Sequence, residues 1–220
     1  MTSLEFRDRL ARRTRRAKAP ISLSMLDPLE GYFQLLAQWN ARINLTALPL
    51  DPPTDETFDR LLVEPLAASR QIPTHTPNVW FDLGSGGGSP AIPLKIARPA
   101  LRLTMIESKE RKGAFLREVI RTLGLADSVV QTARFEEIAS RPEFAGTGDL
   151  VTVRAVRADD DLFATAGRLL KQDGRLLLFR PAHSPSAAPA GFTHTNTVPL
   201  VDSPPSFLCL YRRVFHVEQG

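Results

Sequence analysis

The chain has 220 residues, 43% of them hydrophobic and 24% charged, and its mean hydropathy is −0.13. This composition supports a large buried core and excludes a disordered polymer or a coiled coil, so we expect one large globular domain. The single cysteine, Cys209, excludes an internal disulfide and a cysteine-clustered zinc site. Because no apolar run approaches the roughly 18 residues of a membrane span and no signal peptide is evident, we expect a cytoplasmic protein with no membrane partner.

The basic residues are concentrated at one end of the chain. Residues 1–20 have a net charge of +5, whereas residues 21–220 have a net charge of −1. Good helix formers dominate this first stretch, but only Leu4, Phe6 and Leu10 are strongly apolar. We therefore interpret residues 1–20 as a basic arm, helical or disordered, with no apolar stripe that requires burial. Contact with RNA phosphates and plain solvation are its two alternative roles.

The next section, residues 21–77, is predicted to be helical. An apolar stripe from Leu29 to Trp39 predicts an amphipathic helix from Pro28 to about Ala41, with Asp27 as its N-cap. A second helical pattern extends from Thr54 to Ser69. The spacing of Trp39 along the first stripe makes it a core residue rather than a platform for base stacking.

From residue 78 onward, strand-like runs alternate with helical stretches, as in βαβ units. We predict helices that begin near Pro90, Lys109, Phe135 and Asp161. After six prolines between Pro181 and Pro205, a final strand at Phe207–Val214 is expected to pair antiparallel at the end of the sheet. The fold class is therefore α/β, a doubly wound Rossmann-like sheet over residues 78–220 preceded by a helical section. The other predicted strands are Val79–Leu83, Leu101–Glu107, Ser128–Thr132, Asp149–Val153 and Arg175–Arg180.

A glycine-rich turn between the first predicted strand and its helix gives the strongest functional signal. Glycines at Gly84, Gly86 and Gly88 permit positive φ and let the backbone approach a ligand, whereas a purely structural turn is the alternative. Glu107 ends the next hydrophobic run, where a doubly wound fold brings an acidic side chain to a ribose diol. The combination predicts a nucleotide-like cofactor.

Asp82 bears on which cofactor the loop takes. It stands two residues before the first glycine, and Pro90 and Pro93 occupy the start of the helix. A carboxylate there suits a cationic ligand such as S-adenosylmethionine better than the pyrophosphate of a dinucleotide. The alternative is that Asp82 only caps the glycine turn.

The sequence resembles the RsmG (GidB) family of methyltransferases, which methylate guanine N7 in small-subunit ribosomal RNA. The likeness rests on the stretches that begin at Trp39, Asp82, Arg134 and Val153, which read WNARINLT, DLGSGGGSPAIPL, RFEE and VRA. It implies a Rossmann-like methyltransferase domain, S-adenosylmethionine as cofactor and small-subunit ribosomal RNA as partner, and such an RNA is the polyanion that the basic arm, residues 1–20, would contact. It also places Arg154 beside the reacting centre, as a catalytic and cofactor-binding residue. The other cofactor-binding residues that it implies are Asp82, Gly84, Ser85, Gly86, Gly88, Glu107, Arg134, Phe135 and Glu136.

The chain departs from the family pattern at three places. Arg60 to Leu66 stands where the family usually shows a histidine followed by an aspartate-serine pair, Arg180 replaces a usual lysine, and a usual arginine is not apparent near Ser206 to Leu210. These departures leave a small-molecule methyltransferase or a non-catalytic RNA-binding module as alternatives.

The remaining polar residues carry weaker signals. Arg154 has a structural alternative, an ion pair with an acid such as Asp149 or Glu136. The cations Lys109, Arg111 and Lys112 are expected to form a solvated helix face. Guanine N7 has an accessible lone pair, so its methylation requires alignment rather than a general base. We accordingly expect no catalytic role for His75, His183, His194 or His216, and no metal site.

Overall fold

The computed structural model describes residues 1–19, 21–72, 79–181 and 188–214. Pro20, His75, His183 and His216 lie outside these ranges. No described helix is both long enough and apolar enough to cross a membrane.

Seven strands form one sheet in the order β3-β2-β1-β4-β5-β7-β6. Strands β1 to β5 are parallel, β7 pairs antiparallel with β5, and β6 pairs antiparallel with β7 at the edge. The predicted doubly wound sheet and the antiparallel pairing of the final strand are confirmed, but that strand lies between β5 and β6 rather than at the end of the sheet. The strands are β1 Val79–Leu83, β2 Arg102–Ile106, β3 Ser128–Gln131, β4 Gly148–Arg154, β5 Leu170–Arg180, β6 Phe192–Asp202 and β7 Pro205–Arg213.

Eight α-helices accompany the sheet in the described part of the chain. A π-helical turn, Asp59–Val63, joins the third helix to the fourth, so the helical pattern predicted over Thr54 to Ser69 is one continuous path with a bulge. The helices are α1 Ser3–Arg16, α2 Leu23–Asn40, α3 Asp55–Phe58, α4 Glu64–Ala68, α5 Ala91–Ala97, α6 Glu110–Leu123, α7 Phe135–Ala139 and α8 Asp160–Leu169.

Alternating strand residues supply two buried cores, one on each face of the sheet. Trp80 and Leu103 face the core formed with α1, α2, α4, α5 and α6, whereas Phe81 and Val151 face the core formed with α7 and α8. This alternation follows from the two-residue period of a strand. Helices therefore cover both faces, as a mostly parallel sheet requires.

Two expectations about helix and strand limits were wrong. Helix α2 begins at Leu23 with Ser22 in the N-cap position, so Pro28 lies inside the helix rather than at its first position. Asp27 is therefore a helical residue rather than the N-cap, and Pro28 leaves one interior backbone hydrogen bond of the helix unmade because it has no N–H. Strand β6 was not predicted at all, since its segment is rich in proline.

The expectation that residues 1–20 need no burial was also wrong. Phe6 and Leu10 on α1 are fully buried, and the Phe6 ring lies 5.5 Å from Phe33 and 5.3 Å from Phe58, measured between centroids. Three of its arginines are bound to acids of the folded domain: Arg7 to Asp27 and Glu30, Arg9 to Asp55, and Arg13 to Asp55 and Asp59. Because the partners are distant in sequence, the charge run alone gave no sign of them. The segment is part of the core.

Truncating Phe6 tests this role of α1. We expect Phe6→Ala to lower the free energy of unfolding by about 3–5 kcal/mol, since it leaves a cavity beside the rings of Phe33 and Phe58. Leu4→Ala, on the same helix at a position 69% exposed, is the matched control and should change it by less than about 0.5 kcal/mol. Urea unfolding of both variants measures the difference, and equal effects would contradict the burial of α1.

Candidate functional site

The glycine loop that follows β1 is anchored to the end of β2. The amides of Gly84 and Ser85 donate to the carbonyl of Ile106 at 2.9 and 3.1 Å, and the amide of Gly86 donates to Glu107 Oε2 at 2.9 Å. The second carboxylate oxygen of Glu107 accepts from the amide of Lys109 at 2.8 Å. Glu107 therefore lies against the glycine loop, and its contact with a ribose diol stays a prediction.

The glycines of the loop have different roles. Gly84 and Gly86 have φ of +71° and +53°, in the region that favours glycine. A Cβ on Gly88 would lie 2.9 Å from Ile92, so Gly88 permits close packing of the loop on α5 rather than facing a ligand. The neighbouring Gly87 accepts a hydrogen bond from Tyr32 at 2.7 Å through its carbonyl, which fixes the loop to α2.

Asp82 lies beneath the loop in a buried hydrogen-bonded chain. Trp80 Nε1 donates to Thr152 Oγ1 at 2.8 Å, and Thr152 in turn donates to Asp82 Oδ1. The other oxygen, Oδ2, is buried and has no hydrogen-bond partner. Burial raises the pKa of Asp82 to about 6, although hydrogen bonds from Ser85 and Thr152 and the charge of Arg154 oppose the shift. Within the described residues, one oxygen of the Asp82 carboxylate is therefore left without a hydrogen-bond donor.

A cavity of about 590 Å³ opens above the loop, where the carboxyl ends of β1 and β4 lie side by side. The strand order reverses here, and such switch points are where open α/β sheets bind ligands. Gly84, Ser85, Gly86, Glu107 and Arg154 line the cavity, whereas Asp82 and Gly88 do not. Lining residues that the sequence reasoning did not place here as ligands are Leu45, Thr46, Leu48, Arg60, Glu64, Lys112, Phe179 and Arg180.

A buried carboxylate organises one wall of this cavity. Glu64 Oε2 accepts from Arg154 Nη2 at 2.8 Å, and Glu64 Oε1 accepts from Arg60 Nη1 at 2.9 Å. The Arg154 guanidinium lies 4.5 Å above the Phe179 ring and also donates to Ser89 Oγ and to the carbonyl of Arg60. Arg154 thus has the structural ion pair that we weighed, but with Glu64 rather than with Asp149 or Glu136.

Arg60 contacts Glu64 at the i,i+4 spacing that places two side chains on one face of a helix. Arg60 itself stands in the π-helical turn Asp59–Val63, and such bulges occur frequently at functional sites. Glu64 stands within the apolar stretch LLVEPLAA, where a buried acid requires a partner. An acid within an apolar stretch was therefore the sequence feature that could have identified Glu64 as a residue with a buried cationic partner.

Three predicted residues lie apart from this cavity. Arg134 and Glu136 are exposed at the start of α7, and Phe135 is half-buried against the core on that face of the sheet. None of them lines the cavity, so their contact with the adenine stays a prediction. His194 lies on β6, hydrogen-bonded to Thr197. Among residues with described positions, no three potential metal ligands cluster.

The chain matches the family model described as rRNA small subunit methyltransferase G (GidB) over residues 25–190. It is 36% identical over 178 residues to the ribosomal RNA small subunit methyltransferase G of Xanthomonas axonopodis pv. citri, covering 79% of this chain and 78% of that protein. The protein of the same name from Xylella fastidiosa is 40% identical over 156 residues, covering 71% and 69%.

Solved structures support the fold. A methyltransferase from Geobacter sulfurreducens superposes with a TM-score of 0.58 at 17% identity, covering 84% of this chain and 89% of that one. A SAM-dependent methyltransferase from Aquifex aeolicus gives a TM-score of 0.56 at 14% identity, covering 71% and 92%. With the family match over most of its length and the shared architecture, this chain belongs to the GidB family of rRNA small subunit methyltransferases G.

Proposed function

We propose that this chain transfers the methyl group of S-adenosylmethionine to N7 of a guanine in small-subunit ribosomal RNA, in the cytoplasm. The observation that carries the proposal is the make-up of the cavity above the glycine loop. The loop and Glu107 form one side of it, and the arginines Arg60, Arg154 and Arg180 form the other. One side suits a nucleoside, and the other suits a polyanion.

The residues present fit S-adenosylmethionine. The backbone at Gly86 leaves open space where a Cβ would stand, with Gly84 O the nearest atom at 3.7 Å. Glu107 presents a carboxylate of the kind that accepts from a ribose diol. Asp82 lies beneath the loop rather than in the cavity lining, and its buried, unpartnered Oδ2 favours a positively charged ligand group above the loop, as this cofactor's ammonium or sulfonium would be. When bound, the cofactor supplies an electrophilic methyl group.

The chain's own residues then have one task, which is alignment. Guanine N7 has a free lone pair, so no proton has to be removed before attack and no general base is needed. Arg154 is fixed by Glu64, Ser89 and Phe179, and a guanidinium so held can donate to guanine O6 or to a phosphate. Burial lowers the pKa of Arg154 and the Glu64 carboxylate opposes that shift, so the group stays charged.

The arginines that line the cavity also favour release of the methylated base. Methylation at N7 leaves a positive charge on the base. Arg154 and Arg180 both line the cavity, and no other described side chain is bonded to Arg180. A cationic base beside these guanidinium groups is repelled, which favours its departure after transfer.

The terminal arm contributes to RNA binding through a smaller set of cations than its composition indicated. Arg7, Arg9 and Arg13 are held by acids of the domain. The cationic groups left exposed, with no side-chain partner among the described residues, are those of Arg12, Arg15, Arg16 and Lys18. These four are the phosphate contacts that we propose for residues 1–20.

Substitution of a loop glycine tests the donor side. Gly86→Val should abolish binding of S-adenosylmethionine, because a β-branched residue disfavours positive φ and its side chain would enter the cavity. Gly146→Val is the matched control: Gly146 has φ of +64°, lies away from the cavity, and has no atom within 4 Å of the place a Cβ would occupy. Calorimetric titration with S-adenosylmethionine measures both. Retained binding by the Gly86 variant would refute the assignment of the loop.

Mapping the methylated base tests the reaction. Purified protein, labelled S-adenosylmethionine and small-subunit ribosomal RNA lacking the modification should yield label on one guanine, with the N7-methyl product sensitive to borohydride and aniline cleavage. Naked RNA and assembled small subunits are compared as substrates. Label on another base atom would overturn the N7 assignment, and transfer only to a small molecule would overturn the RNA substrate.

A further inference from the structure

Beside the cavity lies a second groove, between the end of α2 and the first turns of α6. It has a volume of about 370 Å³ and a largely apolar floor. Lys112 lines the main cavity, whereas the preceding residue, Arg111, lines this groove. The groove therefore adjoins the place where the target base is proposed to bind. Its lining residues are Gln38, Trp39, Arg42, Ile43, Arg111 and Ala114.

Two cationic side chains that line the groove have no ion-pair partners among the described residues. Arg42 and Arg111 are exposed, and in the described parts of the chain neither side chain has a hydrogen bond or ion pair. The one nearby acid on this turn, Glu110, contacts Arg117 at 3.5 Å. The groove thus has a positive edge that nothing in the described fold neutralises.

This charge does not stabilise the helix that bears it. Cations in the first turn of a helix oppose its dipole, and each typically costs a few tenths of a kcal/mol. Arg111 and Lys112 stand in that turn of α6, and neither gains an ion pair within the described residues in return. A destabilising pair of cations beside a cavity is better explained by a ligand than by folding.

Trp39 forms the aromatic part of the floor. Contrary to the expectation of a core residue, its side chain is only half-buried, and its ring is tilted by 58° at 5.7 Å from the Phe115 ring. One part of the indole packs on the core and the remainder faces the groove together with Ile43. An accessible aromatic surface next to unpaired arginines matches the way unpaired nucleotides are bound, by stacking and by phosphate contacts.

We propose that this groove binds an unpaired nucleotide of the RNA substrate next to the target guanine, with Trp39 and Ile43 against the base and Arg42 and Arg111 on its flanking phosphates. The inference rests on the proposed function, because it takes the RNA as the molecule in the main cavity. The apolar floor suits the base and the positive edge suits the phosphates, whereas an acidic protein segment would use the edge alone.

The test is a double variant, Arg42→Gln with Arg111→Gln, in the full-length protein. Its affinity for naked small-subunit ribosomal RNA should fall about tenfold near 0.1 M salt, and the slope of log affinity against log salt should decrease in magnitude by about 1.4 for two lost phosphate contacts on a single strand. KM for RNA should rise with kcat retained. Trp39→Leu, which keeps apolar packing on Phe115, should also weaken RNA binding, by loss of stacking.

The matched control is Arg102→Gln with Arg141→Gln. It removes the same charge from two exposed positions, at the start of β2 and just after α7, which do not line the groove and whose side chains likewise have no hydrogen bond or ion pair among the described residues. This control should leave RNA affinity within about twofold of wild type, and all variants should bind S-adenosylmethionine as wild type does.

The outcomes separate this inference from the proposed function. If wild type methylates the RNA and the groove variant binds it with wild-type affinity and salt slope, the groove has no RNA role. A defect seen only with assembled small subunits, with naked RNA binding unchanged, would overturn the inference in favour of a protein partner. Failure of the wild-type protein to methylate RNA would instead refute the proposed function.

Discussion

The buried carboxylate of Glu64 is the interaction on which the architecture of the cavity depends. It joins the helical section that precedes the sheet to the carboxyl end of β4, through Arg60 on one side and Arg154 on the other. A lone buried acid would be costly to desolvate, and two guanidinium groups with several hydrogen bonds offset that cost. The same pairing leaves the two arginines fixed at the cavity wall, where a mobile side chain would lose entropy on binding RNA.

The opposite side of the cavity is held by hydrogen bonds from two directions. The Trp80, Thr152 and Asp82 chain supports the glycine loop from below, and Glu107 holds it from the side through the amide of Gly86. Strand pairing sets the two sides in register, since Leu83 of β1 is paired with Val153 of β4, and the loop and Arg154 follow directly. Rigid elements thus position both sides of the cavity, which is what the proposed alignment mechanism requires.

Local patterns predicted most of the sheet and the position of the glycine loop, because both are encoded within short stretches. The strands with apolar runs and the loop at Gly84 to Gly88 are of this kind. Strand β6 was missed because Pro199 and its neighbours argue against a strand, yet β6 is an edge strand, where a missing amide donor is tolerated. The contact of Arg134, Phe135 and Glu136 with an adenine is still only a prediction.

The features that could not be predicted from the sequence depend on contacts between residues far apart in the chain. The pair of Glu64 and Arg154 spans 90 positions, and nothing in either segment identifies the other. The burial of α1 likewise depends on acids such as Asp59, 46 positions beyond Arg13. From the number of basic residues alone, residues 1–20 were expected to be unpaired and solvated. In the structure, three of their arginines form ion pairs with acids of the domain, and the apolar face of α1 is buried.

We propose that a single cavity holds the methyl donor at the glycine loop and the RNA at Arg154. The decisive measurement is single-turnover methylation of ribosomal RNA by Arg154→Gln, with the S-adenosylmethionine affinity of the same protein measured in parallel. If the cavity is divided in this way, the methylation rate falls at least about a hundredfold, the scale of losing a positioning contact at the reacting centre, while cofactor affinity stays within about threefold of wild type. A variant that methylates at the wild-type rate, or that loses cofactor binding and methylation together, would contradict this proposal.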